Sequence, residues 1–240
     1  MFEKIEKLQI FYLGALLALG LVISTRIVTK NFNNNVISVT GSAYEIVKSD
    51  SGTLNFDINV KSQNKQEAYN IAQNQIEIVK KYLSEKQIKN IELKTVNGYY
   101  SYKRSPKTGE YTDIPDVYNL TQPVTISSDN VELIKEISNS ITGLIDKGVD
   151  INAYAPSYDY SKLPDLKVSL LEKASKDAKA RATSMLKPTH NSVGKIQSVR
   201  MGVYQITPVD STNVSDMGIN DTSSIDKKVT AVANVSFKIK

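Results

Sequence analysis

Chemistry in this 240-residue sequence would have to start from very few groups. There is one histidine, His190, and no cysteine, so a thiolate nucleophile, a disulfide framework and a cysteine metal site are all excluded. A Ser-His-Asp group would have to use His190, which stands beside Pro188 in the loop sequence KPTHNS, residues 187–192. Neither G-x-S-x-G nor H-E-x-x-H occurs, and a lone loop histidine reads as a surface residue, not as a base or a metal ligand. Gly143 and Gly148 copy the spacing of a phosphate loop, but Val149 occupies the place of the required lysine. Asp210, Asp216, Asp221 and Asp226 offer calcium-type oxygens, yet their spacing is not that of an EF-hand loop. Their stretch reads as a solvated excursion. No catalytic, cofactor-binding or metal-binding residue is expected.

Two other features could bind something. In KASKDAKARATSML, residues 173–186, Lys173, Lys176, Lys179 and Arg181 are interleaved with alanines. At 100° per residue, Leu171, Ala174, Ala178, Ala182 and Met185 share a stripe about 80° wide, with the lysines mainly opposite. Such a shallow stripe lets a helix lie close against a sheet, and it makes the lysines a solvated face, not a nucleic-acid reader. The tyrosines cluster in GYYSYKR and YAPSYDYSKLPD. Alternating tyrosines are expected to stabilise a half-exposed sheet face; a protein interface or a glycan- or peptide-binding surface is the functional alternative. Tyr99, Tyr100 and Tyr102 are therefore candidate interface residues. So are Val214, Met217 and Ile219, the apolar members of the long polar stretch 210–226.

The bulk charge is +5, from 30 cationic and 25 anionic side chains. The first 30 residues carry Lys4, Lys7, Arg26 and Lys30 against Glu3 and Glu6, which leaves 26 cations and 23 anions for the rest. That lacks the one-signed density of a phosphate-binding surface, so no nucleic-acid partner is expected. LQIFYLGALLALGLVIST, residues 8–25, has no charged side chain. As a helix it would extend roughly 27 Å, close to the hydrocarbon thickness of about 30 Å. Residues 8–28 are expected to be a transmembrane signal anchor, after a short flank at 1–7. Leu13, Leu16, Leu17, Leu19, Leu21 and Val22 would face lipid. Cleavage of a signal peptide is the alternative, for which VIS ending at Ser24 is a poor site. The lysines on both sides leave the positive-inside rule nearly silent; a short cytoplasmic N-terminus and an extracytoplasmic C-terminal domain are expected.

Residues 29–35 read as a polar linker, and 36–240 as the exported domain. VISVTGSAYEIV is a strand with a bend or bulge at Gly41, and Leu54, Phe56, Ile58 and Val60 alternate in the next. Asn64 and Glu67 form a capping-box pattern before a helix with Ala68, Ile71, Ala72, Ile76, Val79, Tyr82 and Leu83 on one face. Strands at 91–104 and 110–127 follow, joined by the turn SPKTG, with Pro115 and Pro123 indicating bulges or an edge. A helix from Asp129 or Asn130 to Ile145 presents Leu133, Ile137, Ile141 and Leu144. Then come a strand at 149–160, a helix between Pro164 and Pro188, and strands at 193–209 and 227–240. The order β-β-α-β-β-α-β-α-β-β predicts an α+β fold: a largely antiparallel sheet with packed helices.

ASKDAKARATSML followed by VGKIQSVRMG resembles the Ala-rich helix and next strand of the SIMPL domain, a bacterial domain of unknown function. ISVTGSAYEIVKSDSGTLNFDINVKSQNKQEAYNIAQNQIEIVKKYL is similar to that family's opening, and GVYQITPV through VSFKI to its membrane-anchored bacterial members. The resemblance runs from about Val36 to Ile239, and departs at KPTHNS, where the family more often has an Ala/Gly-containing helix end. It implies an exported or envelope-associated α+β domain, assembly into rings in some members, and loose links to stress. It carries over no catalytic residue. The expectation is a non-catalytic, membrane-anchored protein that self-associates into a scaffold or ring. The alternative is a monomeric extracytoplasmic domain that binds a small molecule or cell-wall component.

Overall fold

A computed structural model describes residues 12–26 and 35–240. Residues 12–26 form a helix, α1, on which the apolar side chains are exposed all round: Leu16 is 73% and Leu21 65% accessible. The expected anchor at 8–28 extends past the described residues at both ends, and the linker falls largely outside them. Among the described residues no helix is long and apolar enough to cross a membrane.

The domain is α+β, as expected, and divides into two compact units, the first holding the described residues up to 42 with 171–202 and 232–240, the second 43–170 and 203–231. The strands are β1 Val36–Lys48, β2 Ser51–Ser62, β3 Asn90–Leu93, β4 Asn97–Arg104, β5 Tyr111–Ser128, β6 Ile151–Ala153, β7 Ser157–Asp159, β8 Val193–Met201, β9 Gln205–Pro208, β10 Ile219–Asn220 and β11 Asp226–Ile239. The helices after α1 are α2 Lys65–Glu85, α3 Val131–Ser140 and α4 Leu163–Leu186.

In the first unit β11 lies between β1 and β8. Ala174, Ala178 and Ala182 of α4 are fully buried. The expected close approach of this helix is present, and it explains Gly41. A Cβ there would fall on the backbone of Ala174 and Ala178, within 2.8 Å of Ala178 Cα. β1 is neither bent nor bulged at Gly41: the inward-facing positions keep their two-residue alternation from Val39 through Gly41 to Val47, which an inserted residue would reverse. The glycine makes room for a helix. The buried stripe of α4 also differs from the expected one at its ends. Leu170 and Leu186 are buried, whereas Met185 is 60% exposed. His190, at φ 57, adopts the left-handed conformation that closes the helix end, and Asn191 N donates to Leu186 O at 3.3 Å. The departure KPTHNS is thus a capped terminus.

The second unit holds a six-stranded sheet in which β5 and β2 pair over their central length, β3 and β4 flank β5, and β6 and β7 flank β2. Leu54, Phe56 and Ile58 of β2 pack with Val124 and Ile126 of β5 beneath α2 and α3. On α2, Asn64 Oδ1 accepts from Gln66 N at 2.8 Å, while Glu67 closes the cap indirectly, accepting from Ser62 Oγ, which itself accepts from Asn64 N. α3 buries Ile134 where Leu133 was expected and passes at Ile141 into a 3₁₀ turn ending at Gly148, φ 81. Three expected single strands are each divided in two: 91–104 into β3 and β4, 149–160 into β6 and β7 around Pro156, and 193–209 into β8 and β9 around Gly202.

Pro123 is the clearest departure. It lies neither at an edge nor at a bulge, but on a central strand in continuous register with β2, opposite Asp57. A proline there lacks the N–H that its other neighbour needs. Lys94 N donates to Pro123 O at 3.0 Å, and the reciprocal bond is supplied by the buried Gln122, whose Nε2 donates to Lys94 O at 2.7 Å. The preceding side chain stands in for the missing backbone donor. Pro115 meets its expectation: β4 and β5 lose register on both sides of the Tyr102–Pro115 pair.

Candidate functional site

The tyrosines of β4 divide by strand parity. Tyr100 lies edge-on to buried Tyr118, with ring centroids 4.8 Å apart, so one face of it belongs to the structure. Tyr102, beyond the register shift, is 47% exposed. Tyr99 pairs with Asn119 and points to the opposite face, 67% exposed.

That opposite face carries no helix among the described residues, because the core-facing positions of β2 and β5 point the other way. Along β2 it presents Thr53, Asn55, Asp57, Asn59 and Lys61; along β5, Asn119, Thr121, Thr125 and Ser127. Neighbouring side chains are tied in pairs. Thr121 Oγ1 donates to Asn59 Oδ1 at 3.0 Å, Thr125 Oγ1 to Asn55 Oδ1 at 2.6 Å, and Tyr154 Oη to Asp57 Oδ2 at 2.5 Å. The hydrogen bond to Asp57, with its charge, pushes the Tyr154 phenol above its ordinary value. Tyr154 reaches this face because its N–H donates to Asn55 O, which extends the β6 register by one residue. A hollow of about 260 Å³ lies between Tyr99, Asn119, Asn59 and Asp150.

The stretch 210–226 is more ordered than a solvated excursion. Gln205 clamps it, Nε2 donating to Ser215 O at 2.7 Å and Oε1 accepting from Ser215 N at 3.3 Å, and β10 pairs parallel to β9. At its end Lys227, 3% exposed, donates from Nζ to Asp221 O at 2.6 Å, with Asp221 Oδ2 at 3.8 Å. Burial lowers the Lys227 ammonium below its ordinary value, with Asp221 and Asp159 opposing. Burial pushes the Asp221 carboxyl up, but hydrogen bonds from Ser223 and Ser224 and the Lys227 charge leave it below its usual value. Of the four aspartates in this stretch, Asp221 is thus turned inward, while Asp210 and Asp226 line a separate cleft of about 730 Å³ with Tyr158 and Ile225. The clamped loop holds Val214 and Met217 out into solvent, 82% and 93% exposed. Ile219, by contrast, is half-buried in β10 and is not at the tip.

A further apolar surface was not anticipated. Ile196, Val199 and Met201 of β8 pair with Phe237, Val235 and Ala233 and so point to the α4 side of their sheet, yet they are 59%, 53% and 59% exposed. β8 pairs with β11 and with no other strand among the described residues. Val199 and Met201 alternate in the sequence, but Ile196 joins their side only through the register shift between Ser198 and Ile196, and neither that shift nor the exposure of all three was legible there. The lysines of α4 lie on its exposed side, with Lys176 bonded to Glu172 at 2.6 Å and Arg181 to Asp177 at 2.7 Å. His190 is exposed as well.

Comparison with curated proteins found no match. The family model for SIMPL, described as a protein of unknown function (DUF541), matches residues 37–237. That span takes in β1 through β11 almost whole, and the chain therefore belongs to the SIMPL family.

Proposed function

We propose that this protein is a non-catalytic envelope scaffold, anchored by its N-terminal helix with the N-terminus in the cytoplasm, whose exported domains join into a ring or similar oligomer that serves envelope integrity under stress. The observation that carries the reading is β8: an edge strand whose outer side has no partner strand among the described residues, with a row of exposed apolar residues, Ile196, Val199 and Met201. The free N–H and C=O groups of an edge are templates for pairing with another chain, and a row of exposed apolar side chains beside them marks a contact surface, although Lys195 and Arg200 place charge on the same strand. The second support is that the clamped loop offers a different apolar surface, Val214 and Met217. Two unlike surfaces on one chain are what a head-to-tail contact requires, and such contacts close into rings when the rotation allows. The exposed Leu13, Leu16, Leu17, Leu19, Leu21 and Val22 support the anchor.

The test is the mass of the full-length protein in detergent by light scattering, beside Val199→Lys and Met217→Asp. One discrete oligomer is expected for the parent, and monomers or open chains for the variants. A parent that stays monomeric across concentration refutes the assembly; an oligomer indifferent to both changes refutes these surfaces.

A further inference from the structure

The two tyrosine-rich stretches lie some fifty residues apart in the chain, yet the sheet order β4-β5-β2-β6 brings one tyrosine from each to the same helix-free face. Tyr99 stands at one end, 67% exposed, and Tyr154 at the other, 49% exposed. Three interstrand spacings separate them across the sheet, about 14 Å, and the six-residue step from Asn119 to Thr125 separates their rows along it, about 20 Å. The diagonal is on the order of 25 Å.

Between the tyrosines the side chains are short amides, hydroxyls and carboxylates around the ring of Pro123: Asn119, Thr121, Asn59, Asp57 and Asn152. Cross-strand hydrogen bonds already fix Asn59 to Thr121 and Asp57 to Tyr154, so their rotamers are set before any ligand arrives. Long ionic side chains, the usual cover of a solvated sheet, are almost absent from the centre of this face. Its central charges are Asp57 and Asp150 against Lys61, with Glu92, Asp159 and Lys94 at its margins, in a chain whose overall charge is +5. A phosphate-rich or otherwise anionic polymer would meet two carboxylates here. Rings that stack apolar faces, with fixed small donors and acceptors between them, complement a polyhydroxylated and uncharged ligand.

We infer that this face binds a neutral oligosaccharide laid diagonally across the four strands, its sugar rings stacking on Tyr99 and Tyr154 and its hydroxyl or acetamido groups bonding to the Asn59–Thr121 and Asp57 rows. The hollow of about 260 Å³ beside Tyr99 seats one ring. The site uses neither β8 nor the loop tip, so it stands or falls independently of the assembly.

The experiment is a titration of the full-length protein in detergent, labelled at its thirteen tyrosines for NMR. The probes are the β-1,4-linked tetramers of N-acetylglucosamine and of glucose, with each monosaccharide for comparison. The expected result is saturable movement of the Tyr99 and Tyr154 signals, with a tetramer binding at least about tenfold more tightly than its monomer because two platforms are engaged. Tyr99→Ala and Tyr154→Ala should each weaken the tetramer about tenfold, and Tyr154→Phe, which keeps the ring, much less. Tyr111→Ala serves as a control, since Tyr111 is held by Arg104 outside this face. Silent Tyr99 and Tyr154 signals with both tetramers at millimolar concentration overturn the inference, as do losses equal to those of Tyr111→Ala. Either failure leaves the oligomer mass untouched.

Discussion

Replacing Gln122 by methionine removes one donor from the second unit and little else. The side chain is 4% exposed and methionine nearly matches its length, so packing between Leu120 and Val124 is kept. What disappears is Nε2, which donates to Lys94 O at 2.7 Å and to Pro123 O at 2.9 Å. Pro123 O still accepts from Lys94 N, but Lys94 O faces a proline nitrogen with no hydrogen. An acceptor left unpaired inside a sheet costs about 1–3 kcal/mol, and a value near the middle is expected. With a urea slope of about 2 kcal/mol/M, the unfolding midpoint should fall by about 1 M. Tyrosine fluorescence can follow it, as there is no tryptophan. The decisive arm is Pro123→Val. Alone it should be nearly neutral, because its new N–H finds Lys94 O already served. In the Gln122→Met background that same N–H restores the bond, and the coupling between the two changes should be about 1–2 kcal/mol. An unchanged midpoint for Gln122→Met, or simple additivity in the double variant, would refute the stand-in role of Gln122.

Three further changes probe other devices. Gly41→Ala puts a methyl group onto the α4 backbone at Ala174 and Ala178, which no rotamer can relieve; a loss of about 3 kcal/mol is expected in thermal unfolding, and a neutral result would mean the helix is free to move away. Asp221→Asn leaves Lys227 buried without its counter-charge and should cost about 3 kcal/mol at neutral pH. Because the folded Lys227 value is lowered, its penalty is present while the ammonium is charged and is relieved as pH rises toward the unfolded value near 10.4; the deficit of the variant should therefore shrink at about pH 9.5, and equal deficits at both pH values would count against it. Asp221 itself, lowered in the folded state, stabilises the parent above a pH of about 3.9 and loses that contribution as pH falls through its folded value. His190→Gly relieves a left-handed residue at the end of α4 and should stabilise by about 1 kcal/mol in urea, whereas a loss would mean that the imidazole makes a contact of its own.

How far the sequence could be read depended on the range of the interactions. Leu54 to Val60, the Asn64 cap and the alanines of α4 follow local periodicity, and all are in place. Gly41 was seen as special for the wrong reason, since a missing Cβ looks the same whether the chain bends or a distant helix approaches. Pro123 misled similarly: its remedy is the side chain of Gln122, a polar residue on the core side of a strand whose purpose depends on where β3 ends. The break at Gly202 was hidden because Val199, Met201 and Val203 alternate across it, whereas at Pro156 the inward parity changes, from Ile151 to Tyr158. Strand parity assigns Tyr99 a face, but only the pairing order places Tyr154 on the same one. Long-range pairing decides such meetings, and periodicity does not encode it.

The one-sided cover of the second unit has an evolutionary consequence. Along β2 the residues Leu54, Phe56, Ile58 and Val60 hold the helices, while the alternating Asn55, Asp57 and Asn59 face the other way. Substitutions at the second set change the chemistry of the open face with little effect on folding, and substitutions at the first do the reverse. Selection can therefore diversify the exposed lattice of amides and hydroxyls at almost no cost in stability. A lineage built this way keeps a recognisable fold signature while its members drift apart in the chemistry of that face.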